Sequence, residues 1–239
     1  MDGKMKILAI DSSAKAATAA ILDGEHALAS YTVDNGLTQS ELLMPMLESL
    51  IGSLGIKYSD IELFAVSSCP GSFTGVRIGA ALIKGIAFGR GLPCVGVSTL
   101  EALALNAEGL SGLIVPVMDA RRSQFYTASF KSDGEHTERL CPDRAIGIDE
   151  LAEELRSTEL PIYLVGDGYA LAKRMLLERG VKTENTPLAL INENAVSVGR
   201  LGYRKYLAGN FGTDSELKPG YLRLPQAERE RLERENSNK

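Results

Sequence analysis

Histidine and cysteine are scarce in this chain, and basic side chains do not outnumber acidic ones. Its 239 residues include two histidines, His26 and His136, and three cysteines, Cys69, Cys94 and Cys141. Two distant histidines cannot form HExxH or HxxxH, the helical spacings that place two imidazoles on one metal ion, so a zinc-hydrolase site is excluded. Three widely spaced cysteines make neither a disulfide framework nor a zinc knuckle, and each is read as a small buried or half-buried side chain. The formal net charge is −5, so the chain alone gains little from neutralising phosphates and is not expected to bind nucleic acid by itself. No run reaches the roughly 18 apolar residues of a membrane span, and "MDGKMKILAIDSS" has no apolar stretch of signal length. A soluble cytoplasmic protein is expected.

Apolar side chains make up 44% of the residues, enough for a sizeable core in one large domain or two modest ones. "KILAI" reads as a buried strand ending at Asp11. Two more strand-like segments follow, separated by the Asp23-Gly24 hairpin turn. A helix is expected from Thr38, whose spacing to Glu41 is that of a capping box, with a kink or a later start at Pro45. "IELFAVSS" is a further strand, and Ser98 with Glu101 starts another capped helix. Near residue 105 the pattern restarts: "LIVPVMD" is again a strand ending in an aspartate, Asp119, and "QFYTASFKSDGEH" is a strand with a turn. The tetrapeptide Asp-Gly-Glu-His occurs at residues 23–26 and 133–136, following the two strand-end aspartates by 12 and 14 residues. A diverged duplication accounts for this, giving two similar α/β halves with a cleft between them. The expected division is residues 1–105, residues 106–225 with a long helix over about 192–208, and a solvated charged tail over 226–239.

The stretch "SSCPGSFTGVRIGAALIKG" (67–85) resembles a phosphate-binding loop but lacks the P-loop lysine in register. A serine nucleophile lacks a base, since neither histidine has a motif context. Asp11 and Asp119 could face each other across the cleft and hold a magnesium-bound nucleotide, or each could simply cap its own turn. Neither "DSSAKAAT" nor "DARRSQFY" contains a glycine to bring backbone close to phosphate. Along the helix after the loop, Gly75, Gly79, Ile83 and Ala87 share one face that lets another helix approach closely, whether inside the fold or from a partner.

The blocks "ILAIDSS", "TQSELLMPML", "CPGSFTGVRIGAALIKGIAFG", "PCVGVSTLEALA", "MDARRSQFYTASF", "VGDG" and "LKPGYLRLPQAE" resemble the TsaB (YeaZ) family over nearly the whole chain. That resemblance implies an actin-like, Hsp70-like ATPase fold of two similar subdomains, each a mixed sheet flanked by helices. It implies a cytoplasmic, non-catalytic subunit required for N6-threonylcarbamoylation of adenosine 37 in tRNAs reading ANN codons. In such a system the subunit pairs with its catalytic paralogue TsaD, the small ATPase TsaE joins the pair, and tRNA is met only through the complex. Without TsaD, the same face forms a homodimer. No catalytic residue, metal or cofactor is expected in this chain, ATP and metal belonging to the partners, because Thr99 and Leu103 occupy the places of the TsaD histidines. The docking face is expected at Gln39, where a histidine is common in the family, with Leu42, Leu43, Met46, Phe73, Val76, Gly79, Ala80 and Ile83. Gly79→Arg is expected to abolish docking while leaving the fold largely intact. A vestigial nucleotide or magnesium cleft would involve Asp11, Ser12, Asp119, Gly166 and Asp167. The alternative is a stand-alone kinase-like or ATP-hydrolysing protein of the same fold.

Overall fold

A computed structural model describes residues 5–121 and 123–222; the charged tail expected over 226–239 lies outside the described residues. The first half opens with three antiparallel strands, β1 (Lys6–Asp11), β2 (Ala17–Asp23) and β3 (His26–Val33). They are followed by α1 (Gln39–Leu54), β4 (Leu63–Cys69), α2 (Phe73–Ala87), β5 (Cys94–Ser98) and α3 (Thr99–Asn106). Strand order is β3-β2-β1-β4-β5, with β4 parallel to β1 and β5 parallel to β4. Strand alternation sends Leu8 and Ile10 of β1 to the face covered by α1 and α2, and Ile7 and Ala9 to the opposite face. The α1 capping box forms, the Thr38 N–H donating to Glu41 Oε2 at 2.8 Å. Pro45 does not interrupt α1. It is exposed, as is Glu41, whose carbonyl loses a helical donor to it, so water can replace that bond.

The second half contains β6 (Ser111–Asp119), β7 (Gln124–Thr127), β8 (Phe130–Asp133), β9 (Thr137–Arg139), β10 (Arg144–Gly147), α4 (Ile148–Arg156), β11 (Ile162–Val165) and α5 (Tyr169–Glu178). Its sheet runs β10-β7-β6-β8-β9, and β11 pairs parallel with β6. The stretch read as a single strand from Gln124 is two, because between the segments of β6 that pair β7 and β8 stands Pro116, which has no N–H to donate. Both copies of Asp-Gly-Glu-His form hairpin turns, β2–β3 and β8–β9, with Gly24 and Gly134 at φ of +61° and +97°.

The chain does not stay in the second half to residue 225. The last helix, α6 (Ala195–Leu207), packs Ala195, Val198 and Leu201 against Ile7, Ala9, Leu22 and Ala65 of the first sheet. Two glycines permit the approach: a Cβ at Gly199 would lie 2.4 Å from Leu22 Cδ1, and one at Gly202 2.5 Å from Ala65 Cβ. Beyond it Gly212 bridges Cys94, Leu217 enters the core under α2, and the Gly220 N–H donates to Ser68 O at 2.9 Å. The first half is therefore built from residues 5–106 and 195–222, a correction to the division at 105. Helix α3 lies between the sheets, with Ala102 and Leu105 toward the first and Leu100, Leu103 and Ala104 toward β6. Among the described residues no helix is long and apolar enough to cross a membrane.

Candidate functional site: a cleft and a helical face

The halves meet at a cleft of about 820 Å³, walled by Ser13–Lys15 after β1, Cys69–Thr74 before and within α2, the β6 end at Asp119, Asp167, and Gly220–Leu222. Of the five residues expected there, Asp119 and Asp167 line it, and Asp11, Ser12 and Gly166 do not. Asp11 is 1% exposed. Its Oδ1 accepts from the Ser13 N–H at 2.8 Å and the Ser13 hydroxyl at 2.6 Å, and its Oδ2 from the Ser67 hydroxyl. Burial pushes its carboxyl above the usual range, opposed by those donors. Ser12 turns to α2 and donates to Gly75 O at 2.9 Å. Gly166, at φ +106°, makes room for Val117, whose carbonyl oxygen would lie 2.4 Å from a Cβ there.

Asp119 Oδ1 accepts from the Arg121 N–H at 2.7 Å, while the Asp119 N–H donates to Asp167 Oδ1 at 3.3 Å. Burial raises the Asp167 carboxyl; the Asp119 charge adds to this, and the Asp119 N–H and Lys15 oppose it. A further acid, Glu193, escaped the sequence reading. It is 4% exposed, and its Oε1 is buried without a hydrogen-bond partner. Burial first, then the charges of Asp11 and Asp167, hold its carboxyl well above the usual range. In "NENAVS" it looks like one more polar residue before a helix, and Asn194 does cap α6 by accepting from the Val196 N–H at 2.9 Å. Nothing local marks its neighbour as buried.

These groups do not fit the magnesium nucleotide that an actin-like fold implies. Both oxygens of Asp11 are occupied by the protein's own donors and shut from solvent. Among the described residues no three His, Cys, Asp or Glu side chains are placed to hold a metal ion. Thr99 and Leu103 are 0% and 1% exposed, the Thr99 hydroxyl is without a partner, and Leu103 belongs to the α3–β6 core. Cys94 is likewise unreactive, burial and then Asp214 pushing its thiol up to about 11.

The helical face differs from expectation. Leu42, Leu43 and Met46 of α1 are buried on the sheet, and Val76, Ala80 and Ile83 of α2 are 1%, 3% and 0% exposed. Gly79 is buried too, a Cβ there meeting Ser12 Oγ at 2.4 Å and Val66 Cγ2 at 3.3 Å. Gln39 is 9% exposed and bonded within the fold. Only Phe73 stays partly open, stacked with Tyr221 at 4.9 Å and under the Arg77 guanidinium at 4.1 Å. The small-residue stripe therefore seats α2 on its own sheet, and Gly79→Arg would break the fold it was expected to spare. Outward from α1 point Ser40, Met44, Glu48 and Gly52; outward from α2 point Arg77, Ala81 and Gly85, flanked by half-buried Ile78, Leu82 and Ile86. A Cβ at Gly52 or Gly85 would meet open space. Beyond the end of α2, Phe88 is 79% exposed.

Residues 38–229 match the family model of TsaD, the tRNA N6-adenosine threonylcarbamoyltransferase. The chain is 34% identical over 230 residues to the tRNA threonylcarbamoyladenosine biosynthesis protein TsaB of Bacillus subtilis, covering 96% of this chain and 99% of that one. The chain belongs to the TsaB family. The TsaB protein of Haemophilus influenzae is 29% identical over 236 residues, covering 92% and 94% of the two chains. YeaZ from Pseudomonas aeruginosa superposes with a TM-score of 0.75 at 22% identity, over 91% of this chain and all of that one. Component A of the (R)-2-hydroxyglutaryl-CoA dehydratase of Acidaminococcus fermentans superposes at 0.51 with 13% identity, over 85% of this chain and all of that one. The fold is the actin-like ATPase fold, with a mixed sheet and flanking helices in each half.

Proposed function

We propose that this chain is the non-catalytic, cytoplasmic subunit through which TsaD becomes competent to place threonylcarbamoyl on N6 of adenosine 37 in tRNAs reading ANN codons. It binds TsaD by the outward faces of α1 and α2, TsaE joins that pair, and tRNA is contacted only through the assembly. ATP and metal chemistry belong to the partners. Without TsaD the same face closes a homodimer, so the two pairings compete. The observation that carries this reading is the outer side of α2. Ala81 and Gly85 are exposed and small, while Ile78 and Leu82 lie half-buried beside them on a helix whose other side is fixed to a sheet. Such a surface lets a second helix approach closely with apolar contact and little reordering.

Gly85→Arg tests it. A side chain added there meets nothing in the free chain, and arginine has a better helix propensity than glycine. The variant should keep its thermal transition and lose at least about tenfold in affinity for TsaD by titration calorimetry, with an equal loss in reconstituted tRNA modification. Unchanged affinity would remove this face from the interface.

A further inference from the structure

Three of the four carbonyls of the segment Ser12–Lys15 accept hydrogen bonds from the starts of the two docking helices, and the fourth, Ser12 O, packs against α2. On the α2 side, the Ser72 N–H donates to Ser13 O at 2.6 Å, and Ser12 O lies so close to α2 that a Cβ at Gly75 would be 1.9 Å from it. On the α1 side, one side chain does the work: Gln39 Nε2 donates to Ala14 O at 2.9 Å and to Lys15 O at 3.1 Å. Gln39 Oε1 is buried and accepts nothing, so the amide is held in place by what its nitrogen donates. The same segment turns Ser13, Ala14 and Lys15 into the cleft wall. The first turns of α1 and α2 are thus pinned to one short loop whose other surface faces the space between the halves.

We propose that Gln39 is a positioning residue that couples the α1–α2 face to the cleft, so that a protein docked on these helices also sets the mobility of the Ser12–Lys15 wall. The inference rests on the docking role assigned above to α1 and α2. Without the two donated bonds, the loop is held at its Ser13 end by Asp11 and the Ser72 N–H, and its Ala14–Lys15 end keeps only the packing of Ala14 against the α3–β6 core, so that end opens more readily toward the cleft. Docking then orders the helices and leaves that end of the wall loose. Gln39 accordingly acts within its own chain, on the loop, and is not itself a partner contact.

Gln39→Glu isolates the donor. The replacement has the same shape, cannot donate when ionised, and carries a charge that the first turn of a helix favours, so loss of α1 is not the expected effect. Gln39→His restores a ring N–H and serves as a rescue. Thermal unfolding establishes that each variant is folded, and hydrogen exchange of the peptide spanning residues 12–16 is followed with and without TsaD. In the free chain, Gln39→Glu should exchange at least about tenfold faster in this peptide than the parent, with Gln39→His between the two. Docked TsaD should slow this peptide in the parent and in Gln39→His, and leave it fast in Gln39→Glu even when the variant is saturated with TsaD. Equal exchange in parent and Gln39→Glu, free or bound, overturns the coupling. If TsaD binds the parent without slowing this peptide, the coupling falls and the docking face stands. If TsaD fails to bind the parent, the docking reading falls and takes the coupling with it.

Discussion

Three glycines of α2 should respond to the same substitution with graded changes of stability, because the helix meets a different neighbour at each. At Gly75 a Cβ would lie 1.9 Å from the backbone carbonyl oxygen of Ser12. Neither the helix nor β1 can yield cheaply there, since the Ser12–Ser13 turn is tied to Asp11 and to the Ser72 N–H. Overpacking of this kind costs about 1–3 kcal/mol, and a backbone obstacle puts Gly75→Ala toward the upper end, a net loss of about 2 kcal/mol or more. At Gly79 the nearest atom is the Ser12 hydroxyl, at 2.4 Å, which can rotate away at the loss of its bond to Gly75 O, worth about 1 kcal/mol. The helix-propensity gain of alanine over glycine is also about 1 kcal/mol, so Gly79→Ala should fall near the parent. At Gly85 the space is open, and Gly85→Ala should stabilise by about 0.5–1 kcal/mol. In a domain of this size each kcal/mol moves Tm by about 2–4 °C. Urea and thermal unfolding of the three variants, at several protein concentrations so that self-association is not mistaken for folding stability, give the ranking. If Gly75→Ala were as stable as Gly85→Ala, α2 would not lie against the Ser12 turn and the assignment of its faces would be wrong.

Glu193→Gln should flatten the pH dependence of stability. The folded carboxyl is raised above the 4.5 of the free group, so the folded chain holds this proton more tightly than the unfolded one. Its contribution is full below about 4.5 and is lost as pH rises through the folded value, with a slope of at most about 1.4 kcal/mol per pH unit. The glutamine variant lacks that loss and should be the more stable at neutral pH; parallel stability–pH curves from urea titrations would refute this. Asp11 contributes a slope of the same sign in both proteins, so the difference between the curves is the measurement. Ser67→Ala removes one of three donors to the buried Asp11 and should cost about 1–3 kcal/mol in urea unfolding, with TsaD affinity unchanged; a stability equal to the parent's would mean that this bond contributes nothing net.

Much of the fold was legible because local signals coincide with strand and helix ends. The capping pairs Thr38–Glu41 and Ser98–Glu101 start α1 and α3, and both Asp-Gly turns close hairpins. The inward side of α2 was not legible. That helix carries Val76, Ala80, Ile83 and Ala87 on one side and Ile78, Leu82 and Ile86 near the other, so its apolar pattern does not choose a face. Gly75 and Gly79 signal close approach without saying to what, and the sheet beneath them supplied the answer. The destination of α6 was equally hidden. An amphipathic helix after a run of second-half elements looks as if it should cover the nearest sheet, and only tertiary packing shows Gly199 and Gly202 pressed on Leu22 and Ala65. The cleft was half legible: Asp11 and Asp119 were found at strand ends, but burial divides their roles and adds Glu193 from a segment with no motif.

That division separates shape from chemistry in the cleft. A site that binds and hydrolyses a nucleotide needs carboxylates with free lone pairs and backbone N–H groups open to phosphate. Here Asp11 spends its oxygens on Ser13 and Ser67, and Asp119 spends one on the Arg121 N–H. Ser72 accepts from Gly75 at the start of α2, and the Ser72 N–H is used by Ser13. Glu193, held toward its neutral form, is a poor cation ligand. The Ser72 N–H and the Gln39 amide fasten the Ser12–Lys15 turn to the two helices with an open outer face, and Asp11 fastens it to the end of β1. These polar groups are used to hold the loop against the helices instead of being left open to a ligand, which suits a subunit whose contribution is a surface offered to another protein.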